Sequence, residues 1–316
     1  GHLDVVEWLQ LNRSEGCTKK AMDEAATNGH LDVVEWLQLN RSEGCTKQAM
    51  DGAAARGHLD VVKWLHFNRT EGCTAEAMDL AAAHGYLDVV EWLHNNRSEG
   101  CTFRAMYYAS NWGQLDVVKW LHFNRSEGCI PSSSEEDSTA MDWAAINGHL
   151  DVVKWLHFNR TEGCTINAMN WAAEHGHLNV VKWLQLYRSE GCTIDAMDGA
   201  IRGNHLDVVQ WLYANRSERY NSISSIPQNL RNSHNSTIDW LLRKLRNNNK
   251  TTNNNKTTKI RKDDDDICPI CIDNENNTYD WCEIKKCGHR FHEKCLTEWC
   301  SNDKETCPLC RCRFCD

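Results

Sequence analysis

Eight side chains in the last fifty residues have the types and spacing of metal ligands: Cys268-x2-Cys271-x15-Cys287-x-His289-x2-His292-x2-Cys295-x11-Cys307-x2-Cys310. Thiolates and imidazoles together suit zinc, which takes four such donors in a closed tetrahedral shell, so eight donors make two sites. A stretch this short cannot bury enough apolar surface to fold unaided, and bound metal replaces the missing core. The spacing leaves two arrangements open, sequential pairing into separate fingers or interleaved pairing in one module. Cys282, Cys300, Cys312 and Cys315 fall outside the pattern and read as spare thiols, although Cys312-x2-Cys315 has ligand spacing of its own.

The other seven of the 17 cysteines recur once per unit of an internal repeat. Gly-His-Leu-Asp-Val-Val starts at Gly1 and returns with small changes at Gly29, Gly57, Gly85 and Gly113, each step being 28 residues. Seven extra residues between Ile130 and Ser138 delay the next repeat to Gly148, and Gly176 and Asn204 complete eight. Within a repeat, Val33, Val34, Trp36 and Leu37 fall on one side of a helix, and Ala21, Met22, Ala25 and Ala26 on one side of an earlier helix. Thr18 is placed to cap that first helix and Asn28-Gly29 to end it. A helix pair of this size cannot bury its apolar side alone, so neighbours must stack into a solenoid. A worn ninth repeat over 217–246 is expected to close the array, because His234 to Leu241 keeps the register of His205 to Leu212. Cys17 and its counterparts read as small buried hydrophobes.

The pattern Ala-Met-Asp-x-Ala-Ala-x-x-Gly-His-Leu-Asp-Val-Val-x-Trp-Leu resembles the ankyrin repeat over residues 1–216. Two departures stand out. The Thr-Pro-Leu-His tetrapeptide is absent, with Met22 and Asp23 in place of its Leu and His, and the unit is about five residues shorter than the usual 33. The missing length lies between helix pairs, so the projecting hairpin of ankyrin repeats is expected to shrink to a tight turn. The resemblance implies a concave surface lined by the two residues after Ala-Ala. Arg56, His84, Trp112 and His175 are therefore candidate partner-binding residues, with Tyr108 four before Trp112 on the same face. Trp143 and Trp171 read as packing between repeats.

The ligand run resembles the two-histidine RING finger over residues 267–313. That resemblance implies interleaved sites, Cys268, Cys271, His292 and Cys295 holding one Zn2+ and Cys287, His289, Cys307 and Cys310 the second. It implies that Ile270, Trp299 and Pro308 form a groove for a ubiquitin-conjugating enzyme and that Arg311 hydrogen-bonds both that enzyme and its ubiquitin. The resulting expectation is a mainly α chain: an ankyrin-like helix-turn-helix solenoid over 1–216 with an insert at 130–138, a capping repeat over 217–246, a disordered linker over 247–266 rich in Asn, Thr, Lys and then Asp, and a small zinc-stabilised α+β RING domain over 267–316. Such a chain would act as a RING-type ubiquitin ligase whose repeats recruit a protein substrate. The alternative is a non-catalytic interaction scaffold with a structural RING.

Composition narrows the partners. With 35 basic and 44 acidic residues the net charge is −9, the wrong sign for gripping a phosphate backbone, and no nucleic-acid partner is expected. No apolar run is long enough to span a bilayer, so no membrane partner is expected either. Cysteines with metal spacing fit a reducing compartment, hence an intracellular protein, cytoplasmic or nuclear. The Asn-Arg-Ser/Thr triplets then read as products of duplication, the acidic insert Ser132 to Asp137 as a solvated loop, and Gly1, which falls inside a repeat, as the start of a truncated chain.

Overall fold

The computed structural model describes residues 1–251 other than 15, 127–137 and 234, together with 281–283, 290–292 and 296–297. Two compact units divide at Thr165, inside the span that the repeat pattern alone would treat as one array. The first, Gly1–Thr165, holds α1 (Leu3–Asn12), α2 (Lys19–Thr27), α3 (Leu31–Asn40), α4 (Lys47–Ala55), α5 (Leu59–Asn68), α6 (Ala75–His84), α7 (Leu87–Asn96), α8 (Phe103–Asn111), α9 (Leu115–Asn124), α10 (Ala140–Ile146) and α11 (Leu150–Asn159). The second holds α12 (Ile166–Glu174), α13 (Leu178–Tyr187), α14 (Ile194–Arg202), α15 (Leu206–Asn215), α16 (Gln228–Arg231), α17 (Ser236–Thr251), β1 (Trp281–Glu283) and β2 (Arg290–His292). Even-numbered helices are the first of each pair and odd-numbered ones the second, and each unit is an ankyrin-like stack of such pairs.

The core is built from the same few positions in every repeat. Met22, Ala25 and Ala26 from a first helix and Val33, Val34 and Leu37 from a second are buried, and so are their counterparts from α4 to α15, whereas in α1 Val5 and Leu9 are exposed. Trp36, expected in that stripe, is only half-buried. In the following repeats the equivalent ring stands edge-on to the histidine one repeat earlier, with His66–Trp92, His94–Trp120 and His122–Trp155 centroids 5.1–5.2 Å apart. In those three repeats the tryptophan joins neighbouring second helices, whereas in the second unit the equivalent Trp183 is fully buried.

A buried aspartate links consecutive repeats. Asp51 Oδ1 accepts from the Thr74 backbone N–H at 2.8 Å and Oδ2 from the Thr74 hydroxyl at 2.9 Å, and Asp23 and Asp79 bind Thr46 and Thr102 in the same way. The threonine hydroxyl meanwhile accepts from the backbone two residues on, capping the next first helix, as Thr74 does for Glu76. Thr18, named as a cap from sequence, makes no side-chain cap bond, whereas Thr46, Thr74, Thr102 and Thr193 do. Asn170 replaces the aspartate in the second unit, its Oδ1 accepting from Thr193 N at 3.0 Å and its Nδ2 donating to the Thr193 hydroxyl at 3.0 Å.

The connection between pairs is short, as the missing length implies. Between α3 and α4 it runs from Arg41 to Thr46; Arg41 pairs with Glu43 and also donates through Nη1 to Gln10 of the preceding repeat at 2.9 Å. Gly44 turns the chain at φ +72°, a left-handed conformation that favours glycine, and a Cβ there would lie 2.4 Å from Nη2 of Arg69 and displace the end of that side chain. Where Asn204 replaces the glycine that ends the first helix, it adopts φ +60°, which asparagine tolerates better than most residues.

The segment expected to be a worn ninth repeat folds as the four-residue α16 and the long α17, burying Ile226, Leu230, Ile238, Leu241 and Leu245. Trp240 meets Tyr213 edge-on at 5.8 Å. Helix α17 continues to Thr251, so residues 247–251, assigned to the linker from their composition, are helical. A helix anchored by a buried face propagates cheaply, and asparagine slows this less than glycine or proline. Residues 252–266 lie outside the described set. Strands β1 and β2 pair antiparallel, with Trp281 opposite His292, Cys282 opposite Phe291 and Glu283 opposite Arg290.

Charge states follow from these contacts. The Arg41 guanidinium beside Glu43 holds its carboxyl down to about 2, while burial pushes Asp51, Asp79 and Asp142 above the ordinary aspartate value. The glutamate contribution is present above the ordinary carboxylate range and lost as pH falls toward 2. The aspartates have the opposite sign, favouring the folded state below their ordinary value and losing that contribution as pH rises through the raised one. Asp79→Ala should cost about 1–3 kcal/mol in urea unfolding, because it orphans a buried donor pair, whereas Asp79→Asn should cost less than about 1 kcal/mol. The parent should gain stability over Asp79→Asn as pH is lowered from neutral toward about 4; a constant difference would contradict the raised carboxyl.

Burial also pushes the Cys45 and Cys73 thiols up to about 11 and raises that of Cys192. Cys101 is buried too, while Cys17 and Cys164 are half-buried. Alkylation at about pH 8, mapped by mass spectrometry, should modify Cys45 and Cys73 roughly a hundredfold more slowly in the native chain than in urea.

Candidate functional site

The repeats carry their variation at the C-terminal end of each first helix, on residues that the core does not use. Arg56, His84 and Trp112 occupy equivalent places at the ends of α4, α6 and α8, all exposed, and Trp112 is 59% exposed. The structure brings them into a ladder with their neighbours. Arg56 Nη1 donates to Asn28 Oδ1 at 2.6 Å, and the His84 and Trp112 rings lie 6.3 Å apart at 31°. His84 also stacks near Tyr86, its Nδ1 2.9 Å from the Leu80 carbonyl oxygen. One repeat on, Asn147 Nδ2 donates to Asn111 Oδ1 at 2.8 Å and His149 Nε2 lies 3.1 Å from the Asn111 carbonyl oxygen.

Tyr108 is half-buried and meets Tyr107 edge-on at 5.3 Å; Tyr107 in turn lies 5.1 Å from Trp143. The aromatic group around α8 and α10 thus joins two repeats as well as offering surface. His175 belongs to the second unit, exposed, with its ring 6.4 Å from His177 and its Nδ1 3.0 Å from the Trp171 carbonyl oxygen. The first unit therefore presents a short exposed row of a cation, an imidazole and an indole, a composition suited to a polypeptide surface.

Sequence reasoning missed two further columns. One joins an arginine to the residue 31 or 38 positions earlier: Arg97 to His66, Arg125 to His94 and Arg160 to His122, with Nη1 3.2–3.3 Å from each Nδ1. The other is a set of solvent-facing apolar side chains on the second helices, Leu11 and Leu39 at 85% and Phe67 and Phe123 at 75% exposure. Both were readable as columns two and one positions before the asparagine that ends all these second helices but α13, where Tyr187 replaces it.

Of the expected zinc ligands, His292 lies in β2, and Cys268, Cys271, Cys287, His289, Cys295, Cys307 and Cys310 lie outside the described residues, as do Ile270, Trp299, Pro308 and Arg311. Among the described residues no group of three or more His, Cys, Asp or Glu is placed to hold a metal ion. None of the described helices is long and apolar enough to cross a membrane.

Comparison with known proteins agrees with both parts of the chain. Ankyrin-repeat models match residues 45–94 and, in overlapping three-repeat blocks, 78–169, 105–198 and 142–224. The Ring finger domain model matches residues 266–311, which contain all eight ligand positions. Over 53 residues the chain is 40% identical to the E3 ubiquitin-protein ligase RHA1B of Arabidopsis thaliana, covering 16% of this chain and 34% of that protein. Over 49 residues it is 41% identical to the E3 ubiquitin-protein ligase RNF13 of Homo sapiens and of Gallus gallus, covering 16% of this chain and 13% of each relative. The match thus spans a third or less of these relatives, and zinc binding is implied by the RING family. From its stacked helix pairs and its cysteine–histidine module, the chain is an ankyrin-repeat protein that carries a RING finger domain, similar over that domain to E3 ubiquitin-protein ligases.

Proposed function

We propose that this chain is a RING-type E3 ubiquitin-protein ligase in which the repeats hold a protein substrate and the RING engages a ubiquitin-conjugating enzyme. The observation that carries this reading is the Ring finger match across 266–311 with every ligand position filled by Cys or His. Six thiolates and two imidazoles fit two zinc ions, and Cys268, Cys271, His292 and Cys295 would hold one while Cys287, His289, Cys307 and Cys310 hold the other. The metal supplies folding free energy to a module too small for a core of its own.

Transfer would proceed by orientation. The conjugating enzyme carries ubiquitin as a thioester, and a substrate lysine amine attacks its carbonyl carbon, expelling the enzyme's thiolate. The ligase contributes restraint, lowering the entropic part of the barrier. Ile270, Trp299 and Pro308 offer an apolar seat for the conjugating enzyme. Arg311 has several fixed donors that can span that enzyme and ubiquitin at once, which lysine could not match. On the repeats, Trp112 with His84 and Arg56 in one unit and His175 in the other are the proposed substrate contacts, with Tyr108 supporting Trp112. The polar stretch after α17 would tether the two functions and raise their effective concentration.

Autoubiquitination with a panel of conjugating enzymes tests the reading. The parent chain should form conjugates, and Ile270→Ala and Arg311→Ala should each slow this by about tenfold or more while leaving two zinc ions per chain by metal analysis. Failure with every conjugating enzyme, zinc being retained, would leave only the scaffold. Trp112→Ala should weaken capture of a protein substrate by about tenfold while changing the unfolding free energy by less than about 0.5 kcal/mol.

A further inference from the structure

The second helices of the first unit carry two parallel columns on their outward side, exposed over most of their length, with Lys154 and Phe158 half-buried. The apolar one runs Leu11, Leu39, Phe67, Asn95, Phe123 and Phe158, and four of its side chains are 75–85% exposed, an unusual concentration of large apolar groups in water. One helical turn earlier, at i−4, the same helices carry Glu7, Glu35, Lys63, Glu91, Lys119 and Lys154. The columns are continuous, because the second helices are joined from α1 to α11 by repeated contacts: Arg41 to Gln10 and Arg69 to Gln38 on one side, His66–Trp92, His94–Trp120 and His122–Trp155 beyond them. The seven-residue insert does not disturb them, since the His122–Trp155 step across it has the 5.1 Å spacing of the His94–Trp120 step before it.

Read in reverse, the charge order is the complement of itself. We propose that this face is the interface between two copies of the chain, related by a two-fold axis that runs parallel to the second helices and passes between α5 and α7. That operation lays α1 on the partner's α11, α3 on α9 and α5 on α7. It sets Glu7 against Lys154, Glu35 against Lys119 and Lys63 against Glu91, each twice, with no like-charged pair in the column. The same operation places apolar side chain on apolar side chain, Leu39 on Phe123 and Leu11 on Phe158, with Phe67 facing Asn95.

A parallel arrangement of the two stacks would oppose Glu to Glu and Lys to Lys, so the charges select the antiparallel one, while the apolar column supplies the affinity. The aspartate row of these helices, Asp32 and its counterparts, lies about 10 Å along the helix from the apolar row. The same operation sets these aspartate rows against each other, so the proposed dimer requires the two faces to touch along the C-terminal ends of the second helices and to part toward their N-terminal ends. The Lys119–Asp116 pair, 3.5 Å long and exposed, is weak enough for Lys119 to exchange partners.

Sedimentation velocity of the full chain over a concentration series tests this directly. The parent should show a monomer–dimer equilibrium. Glu35→Lys should raise the dimer dissociation constant by about tenfold, and Glu35→Lys combined with Lys119→Glu should return it to within about threefold of the parent. Phe67→Glu with Phe123→Glu should give monomer, with circular dichroism and thermal melting unchanged because both side chains are already exposed. A chain that stays monomeric throughout overturns the proposal. So does a dimer indifferent to the charge reversal, which would place self-association elsewhere, including the RING.

Discussion

A carboxylate buried between one helix pair and the next sets the spacing of these repeats. Asp51 and Asp79 each spend both oxygens on the threonine that starts the following repeat, and burial raises the cost of keeping them charged without those partners. A repeat cannot slide on its neighbour without orphaning that group. Everything displayed outside inherits the resulting register: the arginine that spans to the preceding second helix, the residues at the first-helix ends, and the columns on the second helices. Asn170 shows that the requirement is for the hydrogen-bonding shape and not for the charge, since its amide serves Thr193 equally well.

That register separates maintenance of the fold from recognition. Alanine, methionine, valine and leucine fill most of the interior from α4 to α15, so the ends of the first helices are free to differ, and there the chain places arginine, histidine and tryptophan in succession. Rigid positions on a periodic support lose little entropy when a partner is bound. The RING family implies a different economy for the cysteine–histidine module, in which donor geometry around a metal replaces a missing interior.

Much of this was legible in the residues alone. The period fixed the helix pairs and their boundaries, and the glycine after each first helix has the left-handed backbone its position implied, Gly29 standing at φ +73°. The eight Cys and His positions of the module stand out because metal ligation constrains spacing along the chain directly, and the Ring finger match contains them all. Asp23 registered only as a departure from the ankyrin pattern, since its partner Thr46 lies 23 residues away and nothing local announces the bond. Trp36 was assigned to the core by helical spacing, which gives direction but not depth, and the ring is only half-buried. Leu39 and Phe67 fell just off the stripe of buried positions and drew no attention, although apolar side chains there have nothing within their own repeat to cover them. The linker was drawn from composition, which does not see a helix already under way at Leu245.

Repeats this alike present a folding chain with many nearly equivalent ways to stack, and mispairing by one unit would satisfy most of the interior. Within the first unit one step differs from the rest. Tyr107 stands where the aspartate should be, and Thr139 finds its partner in Asp142 of its own helix, forming a capping box that asks nothing of the preceding repeat. A stack slipped by one unit there would set an aspartate facing a threonine already served, or an aromatic ring against a donor left empty. The irregular step acts as an address in an otherwise uniform ladder, marking which pair belongs beside which.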